Sequence, residues 1–271
     1  MPHVQLQNGA TYYYEMRGEG ESILFIHGSG ASWKIWEPQF EVFSKHYKMI
    51  LVDMRGHGGS TKEFPNRQYS MKVIVEDMKE FLDALGISSI PVIGLSQGGV
   101  IASLLACTHP SYVQKLVLSN SYSEVPTMGA GCLLTVSNAI FSILPYWIIL
   151  KLIMIPYGED TYTKQVILNS LSVDKSMLLA MKKSEFPTHT NDLHKITAST
   201  LVLCGDKKNV GPEEKAGNII FNHIPKATLG VFKNAFDPLT TMRRDIFNEM
   251  VLDFLGDRPL QSYEDVTYTN K

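Results

Sequence analysis

Short apolar runs punctuate the chain at regular intervals: Ile23-Leu24-Phe25-Ile26, Met49-Ile50-Leu51-Val52, Pro91-Val92-Ile93-Gly94, Leu116-Val117-Leu118, Leu201-Val202-Leu203 and Leu229-Gly230-Val231-Phe232. Between them lie segments of helical period. Met71, Ile74, Val75, Met78, Phe81, Leu82 and Leu85 recur at steps of three and four, as do Met242, Ile246, Met250, Val251, Phe254 and Leu255, so each segment should lay one face on a sheet. Gln5 and Tyr12 to Tyr14 mark a leading hairpin. Buried runs alternating with amphipathic helices predict an α/β fold with a mostly parallel central sheet flanked by helices. The run after Ser96 is apolar nearly all round, as expected of a helix buried near the middle of the molecule.

Residues 121–192 interrupt this alternation between the fourth and fifth of those runs. They are expected to form a helical cap inserted into a core of residues 1–120 and 193–271. From 125 to 158 the only charged residue is Lys151, and about twenty apolar residues can span a bilayer. Pro145, Asn138 and Lys151 break the run, however, and sheet sequence lies on both sides. The reading taken is a lid that buries its apolar face on the core and lines a pocket for a small apolar ligand, without spanning a membrane.

Composition narrows the picture modestly. The 271 residues, 44% of them hydrophobic, can build a sizeable core. A net charge of −2, with Lys and Arg spread along the chain, leaves no footprint for nucleic acid. Cys107, Cys132 and Cys204 sit in apolar neighbourhoods and are odd in number, which reads as buried free thiols. The N-terminal stretch lacks a charged leader followed by an apolar run, so the expected compartment is cytoplasmic. No CxxC or His cluster suggests a metal, and no cofactor is expected. The polar stretch from Gly256 to Lys271 is expected to fray at its end.

Three motifs carry the chemistry. His27-Gly28-Ser29-Gly30 follows one predicted strand, Asp53-Met54-Arg55-Gly56-His57-Gly58-Gly59-Ser60 follows the next, and Gly94-Leu95-Ser96-Gln97-Gly98 follows the third. A serine between glycines on a sharp strand-to-helix turn presents a nucleophile. The following helix aims its free N–H groups at the place where negative charge would develop. Together the motifs resemble the α/β-hydrolase fold family, with residues 27–123 most similar to its enol-lactonase and carboxylesterase-like branch. The resemblance makes Ser96 the nucleophile and the N–H groups of Gln97 and Ser29 the oxyanion hole. It gives His27, His57, Asp53 and Arg55 structural roles.

The base and acid do not match the family pattern. By resemblance the acid should lie three residues beyond Gly205, where Lys208 stands, and the histidine in the loop after the last predicted strand, where Phe236 stands. His223 is the last histidine in the chain, and it lies at a helix end expected at the opposite edge of the sheet from Ser96. Lys208 could form a Ser-Lys dyad if desolvated, or reach water. His189 lies where the insertion returns to the sheet and could approach the pocket. Asp206 and Asp237 could place a carboxylate nearby, but an unperturbed carboxylate is a weak base for a hydroxyl proton. Phe236 is expected to fill the space beside Ser96. Loss of a triad member costs on the order of a millionfold in a serine hydrolase. Three readings follow: a lyase, isomerase or cyclase acting on an apolar carbonyl compound; an unconventional ester, thioester or lactone hydrolase; and a ligand-binding protein without catalysis.

Overall fold

A computed structural model describes residues 2–186, 188–208 and 210–271. Its nine strands are β1 (His3–Gln5), β2 (Thr11–Arg17), β3 (Ser22–Ile26), β4 (Lys48–Val52), β5 (Ile90–Leu95), β6 (Val113–Ser119), β7 (Ser199–Gly205), β8 (Ala227–Phe232) and β9 (Val266–Asn270). They form one sheet in the order β1-β2-β4-β3-β5-β6-β7-β8-β9. The six strands from β4 to β8 in that order run parallel, and β1, β2 and β9 join antiparallel at the two edges. All six apolar runs read from the sequence are the parallel strands.

Among the described residues ten α-helices accompany the sheet: α1 (Phe40–Phe43), α2 (Met71–Ala84), α3 (Gln97–Thr108), α4 (Met128–Ile143), α5 (Tyr146–Met154), α6 (Thr161–Ser170), α7 (Lys175–Lys183), α8 (Glu213–His223), α9 (Leu239–Met242) and α10 (Arg244–Leu255). Side chains alternate across each strand, so the sheet feeds two cores. Leu24, Ile26, Ile50 and Val52 join the core under α2, α3 and α8, while Ile23, Phe25, Met49 and Leu51 join the one under α1 and α10. Ser70 starts α2 by accepting the Val73 N–H, so the periodic segment begins where its cap stands.

Helices α4 to α7 lie between β6 and β7. Ile149, Leu178 and Met181 bury their side chains in the core on the α2–α3 side. The expected burial is incomplete, because Met128, Ile143, Trp147 and Ile155 are exposed. Asn138 donates to the Lys182 carbonyl at 2.9 Å, tying α4 to α7. Among the described residues no helix is long and apolar enough to cross a membrane.

Two expectations are corrected. The C-terminal stretch does not fray out, because Val266 to Asn270 pair with β8 from Phe232 to Thr228 and bury Val266. Alternation of Val, Thr and Tyr suits a sheet edge, and its polar members face outward, which is why hydrophobicity alone misses it. Cys132, on α4, is exposed, whereas Cys107 and Cys204 are buried. Met128, Val136 and Ile140 on the same helix are exposed too.

Candidate active site

Ser96 stands between β5 and α3 with φ 52° and ψ −116°, a region that costs of order 1–3 kcal/mol for a residue with a side chain. Surrounding contacts hold it there. The Ser96 N–H donates to the Ser119 carbonyl at 2.8 Å, and its own carbonyl accepts from Gly99 at 3.0 Å. The flanking glycines are forced by close approach: a Cβ on Gly94 would lie 2.5 Å from the Gly98 carbonyl, and one on Gly98 would lie 2.2 Å from that of Ile26. Gln97 is the first residue of α3, so its N–H has no acceptor within the helix. The loop carrying Ser29 packs against the turn, since a Cβ on Gly28 would be 3.4 Å from that of Ser96. The Ser29 hydroxyl is 3.6 Å from the Met181 sulfur on α7.

The loop framework depends on His27 and His57. Each accepts a backbone N–H at Nε2, from Met54 at 3.0 Å and Gly30 at 3.1 Å, so each carries its proton on Nδ1. Those Nδ1–H groups donate to the carbonyls of Gly28 and Arg55. Burial pushes His27 down to about 4 and His57 well below its ordinary range, so both are neutral ties between two loops. Asp53 likewise accepts the N–H groups of Trp33 at 2.7 Å and Gly59 at 2.8 Å. Arg55 pairs with Asp77 through Nε at 2.6 Å and Nη2 at 3.0 Å.

Asp237, the residue after Phe236, places its carboxyl near Ser96. Its half-buried carboxyl has its proton affinity pushed up to about 8 by desolvation first and the neighbouring Glu213 second, with the Ser96 side chain pulling the other way. The Phe236 ring instead stacks on Tyr157 at 5.1 Å, with the Lys207 ammonium 4.6 Å from its centroid. The two residues are adjacent and point to different sides, a distinction that counting along a loop does not make. Tyr157 donates from its hydroxyl to the Asp237 carbonyl at 3.0 Å.

Glu213, the first residue of α8, is a further site residue that the sequence reading missed. One of its oxygens accepts the Asp237 N–H at 3.0 Å and the other accepts the Asn120 amide at 2.7 Å. It lies beyond the expected acid position, and its place at the start of the helix after β7 is the signal that could have found it. Burial raises its proton affinity too, opposed by those two donors.

The remaining candidates lie elsewhere. Lys208 is exposed on its loop. Asp206 accepts the Asn234 N–H at 2.6 Å and fixes a turn. His189 is buried against α3, with Nε2 2.8 Å from the Ser103 hydroxyl, and burial lowers it to about 4. His223 is exposed, with Nδ1 2.8 Å from the Ile219 carbonyl. Among the described residues no group of acidic, His and Cys side chains could hold a metal.

Aromatic side chains surround the Ser96–Asp237 pair. Tyr69 donates to the Gln97 side-chain carbonyl at 3.0 Å. Tyr122 stacks on Phe186 at 4.7 Å, and burial and the nearby Asp237 raise its phenol. The arrangement can hold a hydroxyl nucleophile, a carboxyl able to exchange its proton and the N–H of Gln97 at the start of α3 beside an apolar wall.

The α/β-hydrolase fold model matches residues 21–141. (E)-2-((N-methylformamido)methylene)succinate hydrolase of Acinetobacter baylyi is 36% identical over 117 residues, 43% of this chain and 44% of that protein. A putative carbamate hydrolase of Azorhizobium caulinodans is 26% identical over 267 residues, 92% of this chain and 96% of that protein. The enol-lactonase of Burkholderia xenovorans superposes with a TM-score of 0.80 at 20% identity, over 94% of this chain and 100% of that one. The chain has the α/β-hydrolase fold. Its match to the relatives of higher identity spans less than half of their own length, 44% and 43% in two bacterial hydrolases.

Proposed function

We propose that the protein is an enzyme that hydrolyses a small apolar ester, thioester or lactone, with Ser96 as nucleophile and Asp237 as its base. What supports this reading is the strand-to-helix turn that presents Ser96, with the Asp237 carboxyl near it. A free aspartate, near 3.9, is too weak a base for a serine hydroxyl. Burial brings Asp237 to about 8, a basicity in the range where histidine normally serves. Ser96 Oγ attacks the carbonyl carbon while its proton passes to the Asp237 carboxylate. The N–H groups of Gln97 and Ser29 donate to the oxyanion. Collapse expels the alcohol or thiol, which takes the proton back from Asp237. Water then attacks the acyl-serine, giving a proton to Asp237, and collapse breaks the acyl–Oγ bond as Asp237 returns that proton to Ser96 Oγ and the carboxylic acid leaves.

Residues 121–192 act as a cap over this site on a core of 1–120 and 193–271. Support comes from Met181 against Ser29, Tyr157 on Asp237 and the Tyr122–Phe186 stack. These groups favour an apolar acyl or leaving group. The free cysteines suit a reducing, cytoplasmic setting.

A second reading rests on the same carboxyl. Below about pH 8 Asp237 holds a proton, so it can donate to a carbonyl compound and support a lyase, isomerase or cyclase step. A panel of chromogenic esters, thioesters and lactones, assayed from about pH 6 to about pH 10, separates the two. Hydrolysis that climbs with pH and is lost in Ser96→Ala and Asp237→Asn supports the first. No hydrolysis of any panel member overturns it. Conversion without hydrolysis that declines above about pH 8 and survives Ser96→Ala supports the second.

A further inference from the structure

Asp237 and Glu213 are neighbouring half-buried carboxylic residues, Glu213 lying against the Asp237 backbone N–H at 3.0 Å, and two such groups do not both ionise readily. Their surroundings are unequal. Glu213 accepts two N–H groups, from Asp237 at 3.0 Å and from Asn120 at 2.7 Å, and opens an eleven-residue helix whose N-terminus favours negative charge. At the Asp237 carboxyl the partner that favours the charged form is the Ser96 side chain.

Asn120 completes the asymmetry. Buried at the end of β6 with φ 50°, it uses its amide nitrogen on Glu213 and its carbonyl on the Leu239 N–H at 3.2 Å. Ser119 donates to the same carbonyl at 2.9 Å, fixing which end of the amide faces Glu213. Glu213 and Asn120 thereby hold the backbone on both sides of Pro238, at Asp237 and at Leu239.

Resting on the proposed hydrolase reading, we infer that Glu213 and Asn120 are positioning residues: Glu213 keeps the negative charge, Asn120 locks it there, and Asp237 takes the proton the pair shares. The two residues thus set the pH at which Asp237 becomes able to accept the serine proton. The other groups facing Asp237 are Ser96 from the β5–α3 turn, Tyr122 after β6 and Tyr157 from the insertion, all neutral; the Lys207 ammonium lies over the adjacent Phe236 ring. Glu213 is therefore the charge through which the site is tuned.

The test combines a carboxyl-carbon NMR titration of the full chain with the pH dependence of fluorophosphonate labelling at Ser96. In the wild type the Asp237 signal, assigned with Asp237→Asn, should titrate in the alkaline range while Glu213 stays ionised; the reverse order overturns the inference. Glu213→Gln should lower the Asp237 midpoint by on the order of one pH unit, because a like charge is gone. Asn120→Asp, which replaces a donor by a carboxylate, should raise it by a similar amount. Midpoints that stay fixed or move together show a merely structural role and also overturn it. The wild-type titration needs no variant to fold. It reads the inference even if Ser96 is never labelled, an outcome that would sink the hydrolase reading alone.

Discussion

Gly98→Ala tests whether close backbone approach, rather than a preference for small residues, shapes the nucleophile turn. The added Cβ would lie 2.2 Å from the Ile26 carbonyl oxygen, 2.4 Å from that of His27 and 2.7 Å from the Ile26 carbonyl carbon. All three are backbone atoms at the end of β3, so no rotamer change relieves the overlap. Overpacking costs about 1–3 kcal/mol where side chains can yield. Here the upper end, about 3 kcal/mol, is expected. In a chain of this size each kcal/mol lowers Tm by about 2–4 °C, so a fall of roughly 6–12 °C should appear in thermal unfolding followed by circular dichroism. The displaced loop carries Ser29, so labelling of Ser96 by a fluorophosphonate should weaken with it. Gly129→Ala is the counterpart: in α4 its nearest neighbour would be Thr127 Oγ1 at 4.0 Å. Helix propensity then favours alanine by up to about 1 kcal/mol. A Gly98→Ala protein melting within about 2 °C of wild type would refute the reasoning.

Four other outcomes are expected. Asp77→Ala leaves the Arg55 guanidinium, the Tyr12 hydroxyl and the Asn8 amide without their shared acceptor, and should cost about 3–5 kcal/mol in urea unfolding. Acid should destabilise the fold as pH falls from about 6.5 to about 4, because His27 and His189, both depressed to about 4, bind protons more readily once unfolded; denaturation midpoints across that range check it. Asp237 has the opposite sign: its native affinity of about 8 exceeds its unfolded one, so its contribution is lost as pH rises from about 4 to about 8, and Asp237→Asn should gain on wild type in urea midpoints between about pH 5 and pH 9. Native protein should expose one thiol, Cys132, to a disulfide reagent, while burial shields Cys107 and Cys204.

Much of the scaffold is legible in the sequence because buried parallel strands and amphipathic helices leave different periods, and each glycine-bearing motif follows a strand. The edge strand at Val266 to Asn270 escapes that logic, since its alternate residues are polar and its partner is fixed only by the folded sheet. The site is legible at Ser96 and Gln97, whose geometry follows from a local turn. At Asp237 the sequence offers only a carboxylate that could lie nearby. Phe236 and Asp237 are neighbours, and which of them turns toward Ser96 depends on the Tyr157 ring and on Glu213. A carboxylate looks too weak a base until its burial is known, and burial is a property of the assembled fold. Lys208 draws attention by position alone, and it faces solvent.

The most direct test of the account is the pH dependence of fluorophosphonate labelling, read by intact mass and peptide mapping, in wild type and Asp237→Asn. The account predicts one adduct at Ser96 whose rate rises with a midpoint of about 8 in wild type, and no such rise in the variant. Labelling of Ser96 that is independent of pH, or undiminished without the Asp237 carboxylate, would contradict it.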